Sequence, residues 1–326
     1  MVNLNLQVGK KMTGRKVGII GAGAVGATAA YSLSMMGTCK EIVLFDIAEG
    51  VAQGKAIDIA QSTQYAPQPT IITAAQTPAD IKNCDIVVIT AGVPRKGDMT
   101  REDLLLINAK IIKSVIDDVK VHSPDAIIIC VSNPLDVMTY VIHRLTGWDR
   151  KRIIGLSGAL DGSRMAYQIY QKLGFGAGQT GKLVIGDHGQ NMIPLPQKVK
   201  VGLVPTTDLL SDEEFADIIE RTKNGGAEIV KHLGTSGYYG PGRAIAFMVE
   251  SILDDAQAVV SSSVLLEGEY SHSDVTVGVP VVLGKNGVEQ IIEMTLNTKT
   301  REKFKVSVES IREGIDILEA NGFFNA

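Results

Sequence analysis

The sequence predicts an α/β fold, in which a doubly wound parallel sheet is followed by a second domain of the α+β type. Three observations support this prediction. Short apolar runs alternate with helical stretches in the first half, a glycine-rich turn follows the first run, and the second half is β-rich between long amphipathic helices. Repeated strand–helix–strand units imply a parallel sheet with helices on both faces.

Four apolar runs in the first half have the length and composition of buried strands, namely residues 16–20, 41–46, 85–90 and 126–131. A helix is predicted after the first run, as far as about Met36. A second is predicted from Arg101 to about His122, because its apolar residues recur at three- and four-residue steps. Thr100 and Asp103 form a capping pair at its start. These elements make up a first domain over residues 16–155.

The second half has a different pattern and is predicted to form a second domain over residues 156–326. A helix is expected over residues 211–232, with Ser211 and Glu214 as a capping box. Residues 259–282 are β-rich, and the turn at 284–287 predicts a hairpin. An apolar stripe from Phe304 to Leu318 predicts a closing helix that ends near Gly322.

The composition is that of a well-buried globular protein. Of 326 residues, 45% are hydrophobic and 21% are charged, and the net charge is −4 with no long run of one sign. Nucleic acid and anionic membrane surfaces are therefore not expected partners, whereas a small anionic substrate is compatible with local positive charge. Residues 1–15 lack the apolar centre of a secretory signal. We expect them to form a flexible N-terminal extension of a cytoplasmic protein.

The sequence contains three cysteines, which are Cys39, Cys84 and Cys130. Each lies in or beside an apolar stretch, and none forms a Cys-x-x-Cys pair. An odd number argues against a disulfide framework, so we expect buried thiols, with a catalytic or metal-binding role as the less favoured alternative. No cysteine and histidine spacing predicts a metal site.

A glycine motif directly follows the first predicted strand and consists of Gly21, Ala22, Gly23, Ala24, Val25 and Gly26. The first glycine permits a tight turn, the second allows a pyrophosphate to approach the backbone, and the third allows the helix to pack closely on the strand. Asp46 ends the next strand, where a carboxylate can bind the adenosine ribose and repel a 2′-phosphate. The motif therefore predicts a Rossmann-type NAD site, with a glycine turn that binds no nucleotide as the alternative.

Two arginines follow the strand that ends at Thr90, in a loop rich in glycine and proline. Ligands bind beyond the carboxyl ends of parallel strands, and arginine can hold a carboxylate with two hydrogen bonds. Arg95 and Arg101 are therefore candidate substrate ligands. The alternative is a solvated basic loop, since exposed charges usually lack a specific partner.

One histidine of five stands out. His188 follows a short apolar run and lies between glycines, where a substrate can approach the ring. Imidazole suits proton transfer near neutral pH, and Asp161 is a candidate carboxylate partner for it. If Asp161 begins a helix, Arg164 shares its face. A helix cap and a surface arginine remain the alternative for this pair. The other histidines are interpreted as structural or surface residues, and they are His122, His143, His232 and His272.

Taken together, these motifs resemble the lactate/malate dehydrogenase family from Lys16 to the C-terminus. The resemblance rests on the glycine motif, Asp46, the arginine loop, Val131-Ser132-Asn133-Pro134, Leu160-Asp161-x-x-Arg164 and Gly186-x-His188-Gly189. Residues 279–287 are most similar to the malate dehydrogenases that resemble lactate dehydrogenases. The expected activity is the reversible NAD-dependent oxidation of (S)-malate to oxaloacetate. The alternatives are a lactate or other 2-hydroxy acid dehydrogenase and, from another class, a non-catalytic NADH-binding sensor.

The resemblance also implies roles for single residues. His188 is the proton donor and acceptor, and Asp161 is its partner. Arg164 would bind the C1 carboxylate of the substrate, Arg101 would polarise the reacting carbonyl, and Arg95 would bind the second carboxylate. Further residues are implied at the cofactor or substrate, namely Asn108, Val131, Ser132, Asn133 and Gly240. A small dicarboxylate substrate and a homodimer or homotetramer are expected.

Two positions depart from the family pattern. Gln190 stands where an aspartate is usual after the histidine and glycine, and the loop reads Arg95-Lys96-Gly97-Asp98 rather than the commoner Arg-Lys-Pro-Gly. Neither change removes a group with an implied role in the reaction.

Overall fold

The structure is a computed structural model that describes residues 15–48, 50–66, 68–94 and 99–325. Of the flexible extension expected over residues 1–15, residues 1–14 lie outside the described residues, as does Arg95, for which a specificity role is expected. Arg15 is described, and its carbonyl accepts a hydrogen bond from the Lys40 N–H at 3.1 Å. Within the described ranges, no helix has the length and apolar character needed to cross a membrane.

The N-terminal half alternates strands and helices as the sequence predicts. In chain order the elements are β1 (Lys16–Ile20), α1 (Ala24–Met36), β2 (Glu41–Phe45), α2 (Val51–Ser62), β3 (Ile71–Ala74), β4 (Ile86–Ile89), α3 (Arg101–His122), β5 (Ile127–Cys130), α4 (Leu135–Thr146) and β6 (Ile153–Gly155). The predicted cap at Thr100 is confirmed, since its hydroxyl accepts from the Asp103 N–H and the Asp103 carboxylate accepts from the Thr100 N–H.

These six strands form a parallel sheet in the order β3-β2-β1-β4-β5-β6. The predicted doubly wound arrangement is therefore confirmed. All four residues of β4 and of β5 are buried, because helices cover both faces of the central strands. The edge strand β3 instead alternates between exposed and half-buried residues. The strand order reverses beside β1, which is where open parallel sheets bind their ligands.

The C-terminal half mixes helices with antiparallel strands. Its elements are α5 (Gly158–Leu173), β7 (Val184–Ile185), β8 (Ile193–Pro194), β9 (Lys200–Val201), β10 (Val204–Pro205), α6 (Asp212–Leu233), α7 (Tyr239–Leu253), β11 (Ala258–Glu267), β12 (Ser273–Gly284), β13 (Gly287–Ile291) and α8 (Thr298–Ala320). The capping box of Ser211 and Glu214, the hairpin at Gly284 and Gly287, and the closing helix are confirmed.

The two halves share one sheet, which the sequence does not predict. Strand β11 pairs antiparallel with β6 at Ser263 and Gly155, so that β11, β12 and β13 extend the parallel strands into a nine-stranded mixed sheet. A Cβ at Gly155 would lie 2.6 Å from Thr139 Oγ1 and 2.8 Å from Ser263 Cβ, so only glycine fits this junction. The sheet therefore links the N-terminal half directly to β12, which contacts the chain just before His188 through the bridge between Gly278 and Gly186.

The core follows this sheet. One large apolar cluster packs against both of its faces, and a second, smaller cluster includes Met165 of α5 and Ile218 of α6. The second cluster holds α5 against α6, and this packing fixes the helix that carries Asp161 and Arg164. The three cysteines are buried free thiols, as predicted. Burial raises the pKa of Cys130 to about 12, so this thiol is not poised to react.

Candidate active site

The glycine turn has the geometry that its sequence predicts. Gly21 has φ +102°, a value that favours glycine, and Gly23 precedes the first turn of α1. A Cβ at Gly26 would lie 2.0 Å from the Gly21 carbonyl oxygen, so the third glycine is required by packing. A Cβ at Gly23 would meet nothing within 4 Å. Open space at the helix start, beside free N–H groups, fits a pyrophosphate.

The remaining residues of the motif lie at the entrance to α1. Ala22 is buried, whereas Ala24 is exposed and Val25 is half-buried. Asp46 follows β2, and its Oδ2 accepts a hydrogen bond from the Ala22 N–H at 2.7 Å, while Oδ1 accepts from the Ala48 N–H at 2.9 Å. The carboxylate is thus held beside the glycine turn. Since a carboxylate oxygen has two lone pairs, it retains capacity for ribose hydroxyls.

Asn108 organises the next part of the cleft. This residue of α3 is 1% exposed, and its Oδ1 accepts from the Val93 N–H at 2.9 Å. Its Nδ2 donates to the carbonyl oxygens of Val93 at 3.3 Å and Asn133 at 2.8 Å. Asn108 therefore joins the start of the arginine loop to the turn after β5. These contacts describe a supporting residue that shapes the cleft through its neighbours.

The turn after β5 carries three of the predicted cofactor residues. The Val131 N–H donates to the Ile89 carbonyl, and the buried Ser132 hydroxyl donates to the carbonyl of Ala91. These bonds hold the turn against the end of β4. Asn133 is exposed at its tip, so its side chain is accessible to a ligand. Arg101 is exposed in the first turn of α3, which places it on the same edge of the sheet.

The loop that carries His188 is anchored by its backbone on three sides. Gly186 (φ +90°) exchanges two hydrogen bonds with Gly278 of β12, at 2.9 and 3.0 Å. The Asp187 N–H donates to the Ser307 hydroxyl of α8 at 2.6 Å, and the His188 N–H donates to Asp136 Oδ2 of α4 at 2.7 Å. The imidazole is therefore presented by a rigid turn.

Asp161 joins His188 to Arg164. Its Oδ2 lies 2.7 Å from His188 Nδ1, and its Oδ1 lies 2.9 Å from Arg164 Nη1. The Asp161 side chain is 1% exposed, whereas those of His188 and Arg164 are 14% and 22% exposed. No hydrogen bond reaches His188 Nε2 from the part of the chain that the structure describes. The structure thus brings together the three residues that the sequence could only suggest as partners.

The electrostatic surroundings favour a protonated imidazole. Burial on its own lowers the pKa of His188, but the charge and hydrogen bond of Asp161 and the charge of Asp136 outweigh that effect, against the opposing charge of Arg164. The result is a raised pKa. Burial also raises the pKa of Asp136 to about 6 and that of Asp187 above its usual range. Groups that titrate near neutral pH therefore cluster at this loop, as at many proton-transfer sites.

Sequence reasoning missed two features of this site. Asp136 contacts the histidine loop from another helix, and no local pattern points to it. Gly225 and Gly226 lie inside α6, and a Cβ at Gly226 would lie 3.4 Å from Arg164 Nη2. A pair of glycines within a helix lowers its stability, so this pair was a recognisable signal of a close approach.

Gly240, which was predicted from the sequence, lies in the first turn of α7, where a Cβ would lie 3.4 Å from Leu160 Cδ1.

The arrangement can hold an anionic substrate and move a proton. Arg164 presents a cation beside an imidazole whose tautomer is fixed by a carboxylate, and Asp161 can stabilise the imidazolium without accepting its proton. Across residues 15–48, 50–66, 68–94 and 99–325, no group of three or more histidine, cysteine, aspartate or glutamate side chains could hold a metal ion.

Comparison with known proteins agrees with this geometry. The family model for the lactate/malate dehydrogenase NAD binding domain matches residues 15–155, and the model for the lactate/malate dehydrogenase alpha/beta C-terminal domain matches residues 158–321. A malate dehydrogenase from Sulfurimonas denitrificans is 53% identical, over 96% of this chain and 98% of that protein. One from Aliarcobacter butzleri is 44% identical, over 96% of this chain and 100% of that protein.

Solved structures are also similar. The malate dehydrogenase from Picrophilus torridus is 39% identical with a TM-score of 0.92, and the match covers 96% of this chain and 100% of that one. A lactate dehydrogenase from a Medee basin deep-sea metagenome library is 32% identical with a TM-score of 0.90, covering 94% of this chain and 99% of that one. The fold is therefore common to both activities. The chain belongs to the lactate/malate dehydrogenase family.

Proposed function

We propose that the chain is an NAD-dependent malate dehydrogenase, which interconverts (S)-malate and oxaloacetate. The observation that carries the proposal is the hydrogen bond of 2.7 Å between His188 Nδ1 and Asp161 Oδ2, with Arg164 on the other oxygen of the same carboxylate. The names of the relatives from Sulfurimonas denitrificans and Aliarcobacter butzleri support malate as the substrate.

The residues of the glycine turn fit NAD. The space at Gly23, the start of α1 and the carboxylate of Asp46 would hold the pyrophosphate and the adenosine ribose. Bound there, NAD would supply the hydride acceptor for C2 of the substrate in oxidation and the hydride donor in reduction. Asn133 would border the reacting end of the cofactor and contact the substrate oxygen, with Val131 and Ser132 holding its turn.

His188 moves the proton. In oxidation, neutral His188 accepts the proton of the substrate hydroxyl at Nε2, while Nδ1–H donates to Asp161. The imidazolium that forms is stabilised by the Asp161 carboxylate, which stays ionised. In reduction, protonated His188 returns the proton to the developing alkoxide. The raised pKa of His188 favours the charged form that reduction requires.

Three arginines would bind and select the substrate. Arg164 holds the C1 carboxylate, and Arg101 places positive charge beside the reacting carbonyl. Arg95 would bind the second carboxylate of oxaloacetate. With pyruvate, Arg95 would be enclosed opposite a methyl group, and an unpaired buried charge costs several kcal/mol. Gly240 would lie near the substrate side chain. These roles predict a strong preference for a dicarboxylate.

We also propose a division into two domains near residues 155 and 156, a homodimer or homotetramer, and a cytoplasmic location. The resemblance to the lactate/malate dehydrogenase family is the ground for proposing self-association. Light scattering during gel filtration measures the oligomeric state, and a monomer at micromolar concentration would contradict the proposal.

The test of substrate choice measures NADH absorbance with oxaloacetate and then with pyruvate. We expect rapid oxidation of NADH with oxaloacetate and slow oxidation with pyruvate. In Arg95→Gln, the ratio of kcat/KM for oxaloacetate to that for pyruvate falls about a hundredfold or more, since a few kcal/mol of charge pairing is lost. Lys96→Gln removes one charge from the same loop and is the matched control, with an unchanged ratio. An unchanged ratio in Arg95→Gln removes this residue from substrate selection.

The same NADH assays on the wild-type protein also distinguish the alternative functions. A lactate dehydrogenase would prefer pyruvate, and an NADH-binding sensor would bind NADH without turnover of either keto acid. Either result contradicts the proposed activity.

A further inference from the structure

Asp136 is a buried carboxylate without an obvious partner charge. It lies in the first turn of α4, shortly after Asn133, and it is 5% exposed. Among the described residues, no lysine or arginine pairs with it, and its Oδ1 lacks a hydrogen bond of normal geometry. The Ser263 hydroxyl is nevertheless close enough to favour the ionised form of Asp136. Burial of a carboxylate without a paired cation is unfavourable, which indicates that Asp136 has a role other than packing.

The contacts of Asp136 join three elements that build the site. Its Oδ2 accepts the His188 N–H at 2.7 Å, and its main-chain carbonyl accepts the Thr276 hydroxyl of β12 at 2.6 Å. These two hydrogen bonds hold the start of α4 against the loop that carries His188 and against β12. A hydrogen bond to an ionised acceptor is stronger than one between neutral groups.

Several charged groups surround His188, and they lie on α4, α5, α6 and the loop itself. From α8, the charge of Lys303 lowers the pKa of Lys223, while Ser307 of α8 and Gly278 of β12 contact the loop as uncharged residues. Asp161 and Arg164 of α5 act on the ring side, and Asp187 precedes His188 in the loop. From α6, Lys223 donates to the Gln190 carbonyl at 3.1 Å. Asp136 is the carboxylate that touches the backbone of His188 itself. Its charge adds to that of Asp161 and opposes that of Arg164.

We propose that Asp136 is a positioning residue for proton transfer. Its carboxylate fixes the backbone of His188 and, together with the carboxylate of Asp161, favours the protonated imidazole. This role rests on the proposed function, in which His188 carries the proton. Asp136 acts through His188 and does not itself contact the substrate.

The ionisation of Asp136 makes its effect on His188 depend on pH. Burial raises its pKa to about 6, which brings it into the range in which histidines titrate. Above that pH the carboxylate is charged and supports the imidazolium, and below it this support is lost. The two groups therefore titrate as a coupled pair. Because protonation of either group lowers the proton affinity of the other, the charge of His188 changes more gradually with pH than that of an isolated group.

The principal test replaces Asp136 by its neutral isostere. In Asp136→Asn the amide oxygen can still accept the His188 N–H, but the charge is gone. We expect the pKa seen in the pH profiles of kcat/KM to fall by about half a unit to one unit, which changes the protonated fraction about three- to tenfold. At alkaline pH, reduction of oxaloacetate therefore slows. At acidic pH, oxidation of malate becomes faster, because more His188 is neutral.

A second readout does not depend on turnover. The ring proton of His188 is followed by NMR against pH in the protein without substrate, and the signal is identified by its absence in His188→Asn. The titration midpoint should fall in Asp136→Asn by the same amount as in the kinetic profiles. Asp117→Asn removes an exposed carboxylate of α3, 59% exposed, and is the control with an unchanged midpoint.

The outcomes are distinct. An equal loss of activity at every pH, with an unchanged NMR midpoint, means that Asp136 is only structural and overturns the proposal. If the wild-type protein reduces no keto acid, the proposed function fails, while the NMR midpoint still decides whether Asp136 acts on His188. Should Asp136→Asn not fold, Ser263→Ala replaces it, since loss of that hydroxyl disfavours the ionised Asp136. A smaller fall of the midpoint then supports the proposal, and no change overturns it.

Discussion

The glycine turn after β1 and the loop after β7 both present a site at the end of a short strand, but they are built in different ways. The glycine turn is made of backbone, and its ligand is expected to contact N–H groups and the space left by an absent side chain. The second loop presents one side chain, His188, which depends on residues from α4, α5 and α8. The first site is local in sequence, whereas the second exists only after the chain has folded.

The first way to sharpen this comparison is to remove the imidazole alone. In His188→Asn we expect kcat to fall about a thousandfold or more, because general acid–base catalysis is worth up to about 10⁴-fold. NADH binding should change no more than a few-fold, since the glycine turn is untouched. Stopped-flow turnover and quenching of NADH fluorescence measure the two quantities.

The control for this variant is His232→Asn, which replaces an exposed histidine of α6 and leaves both quantities unchanged. If His188→Asn turns over within tenfold of the wild type, the proton is carried by another group. If NADH binding is lost as well, the two sites are not separable in the way proposed.

The second prediction contrasts two glycines of the same turn. A Cβ at Gly26 would lie 2.0 Å from a backbone oxygen, so Gly26→Ala should lower the free energy of unfolding by about 1–3 kcal/mol or more. A Cβ at Gly23 meets nothing within 4 Å, and φ −64° suits alanine. Gly23→Ala should therefore fold normally but bind NADH at least about tenfold more weakly, because the methyl group occupies the space assigned to the pyrophosphate.

Urea unfolding and NADH titration distinguish these expectations. Normal stability in Gly26→Ala would contradict the packing role of that glycine. Unchanged NADH affinity in Gly23→Ala would show that the pyrophosphate does not lie over the second glycine.

The same contrast explains how much could be predicted from sequence. The glycine motif, the buried strands and both capping boxes are recognisable from patterns within a few residues, and the structure contains each of them. Asp46 contacts Ala22 across 24 residues, but its fixed spacing from the glycine motif indicated it. His188 and Asp161 are 27 residues apart, so periodicity alone left their pairing open and only the family resemblance indicated it.

Other features had no local signal. Asp136 and His188 are 52 residues apart, and nothing in the first turn of α4 marks a contact with a distant loop. The pairing of Ser263 with Gly155, which joins the two halves in one sheet, depends on how β11 meets the edge of β6. Such pairings are set by tertiary packing, which outweighs the propensity of each segment. The bonds of the Asn108 amide to Val93 and Asn133 likewise had no local signal, and its expected position near the cofactor stays a prediction.

The smallest expected effect concerns the glycine pair of α6, Gly225 and Gly226. This pair combines features of both sites, because the missing side chains of the glycines leave room for the side chain of Arg164. A Cβ at Gly226 would lie 3.4 Å from Arg164 Nη2, in van der Waals contact with the guanidinium, so the added methyl group would limit the positions open to that group without preventing folding. Gly226→Ala should stabilise the helix by at most about 1 kcal/mol, as alanine does in helix interiors. It should raise the KM for oxaloacetate a few-fold, with little change in kcat, because Arg164 is held away from the substrate carboxylate.

Gly54→Ala in α2 is the matched control, since a Cβ there meets nothing within 4 Å. It should give a similar gain in the free energy of unfolding without any change in KM. A KM in Gly226→Ala equal to that of the wild type would mean that the glycine pair does not make room for Arg164. The two substitutions have the same effect on the helix and differ only in what faces the added methyl group, so a difference in KM is attributable to Arg164.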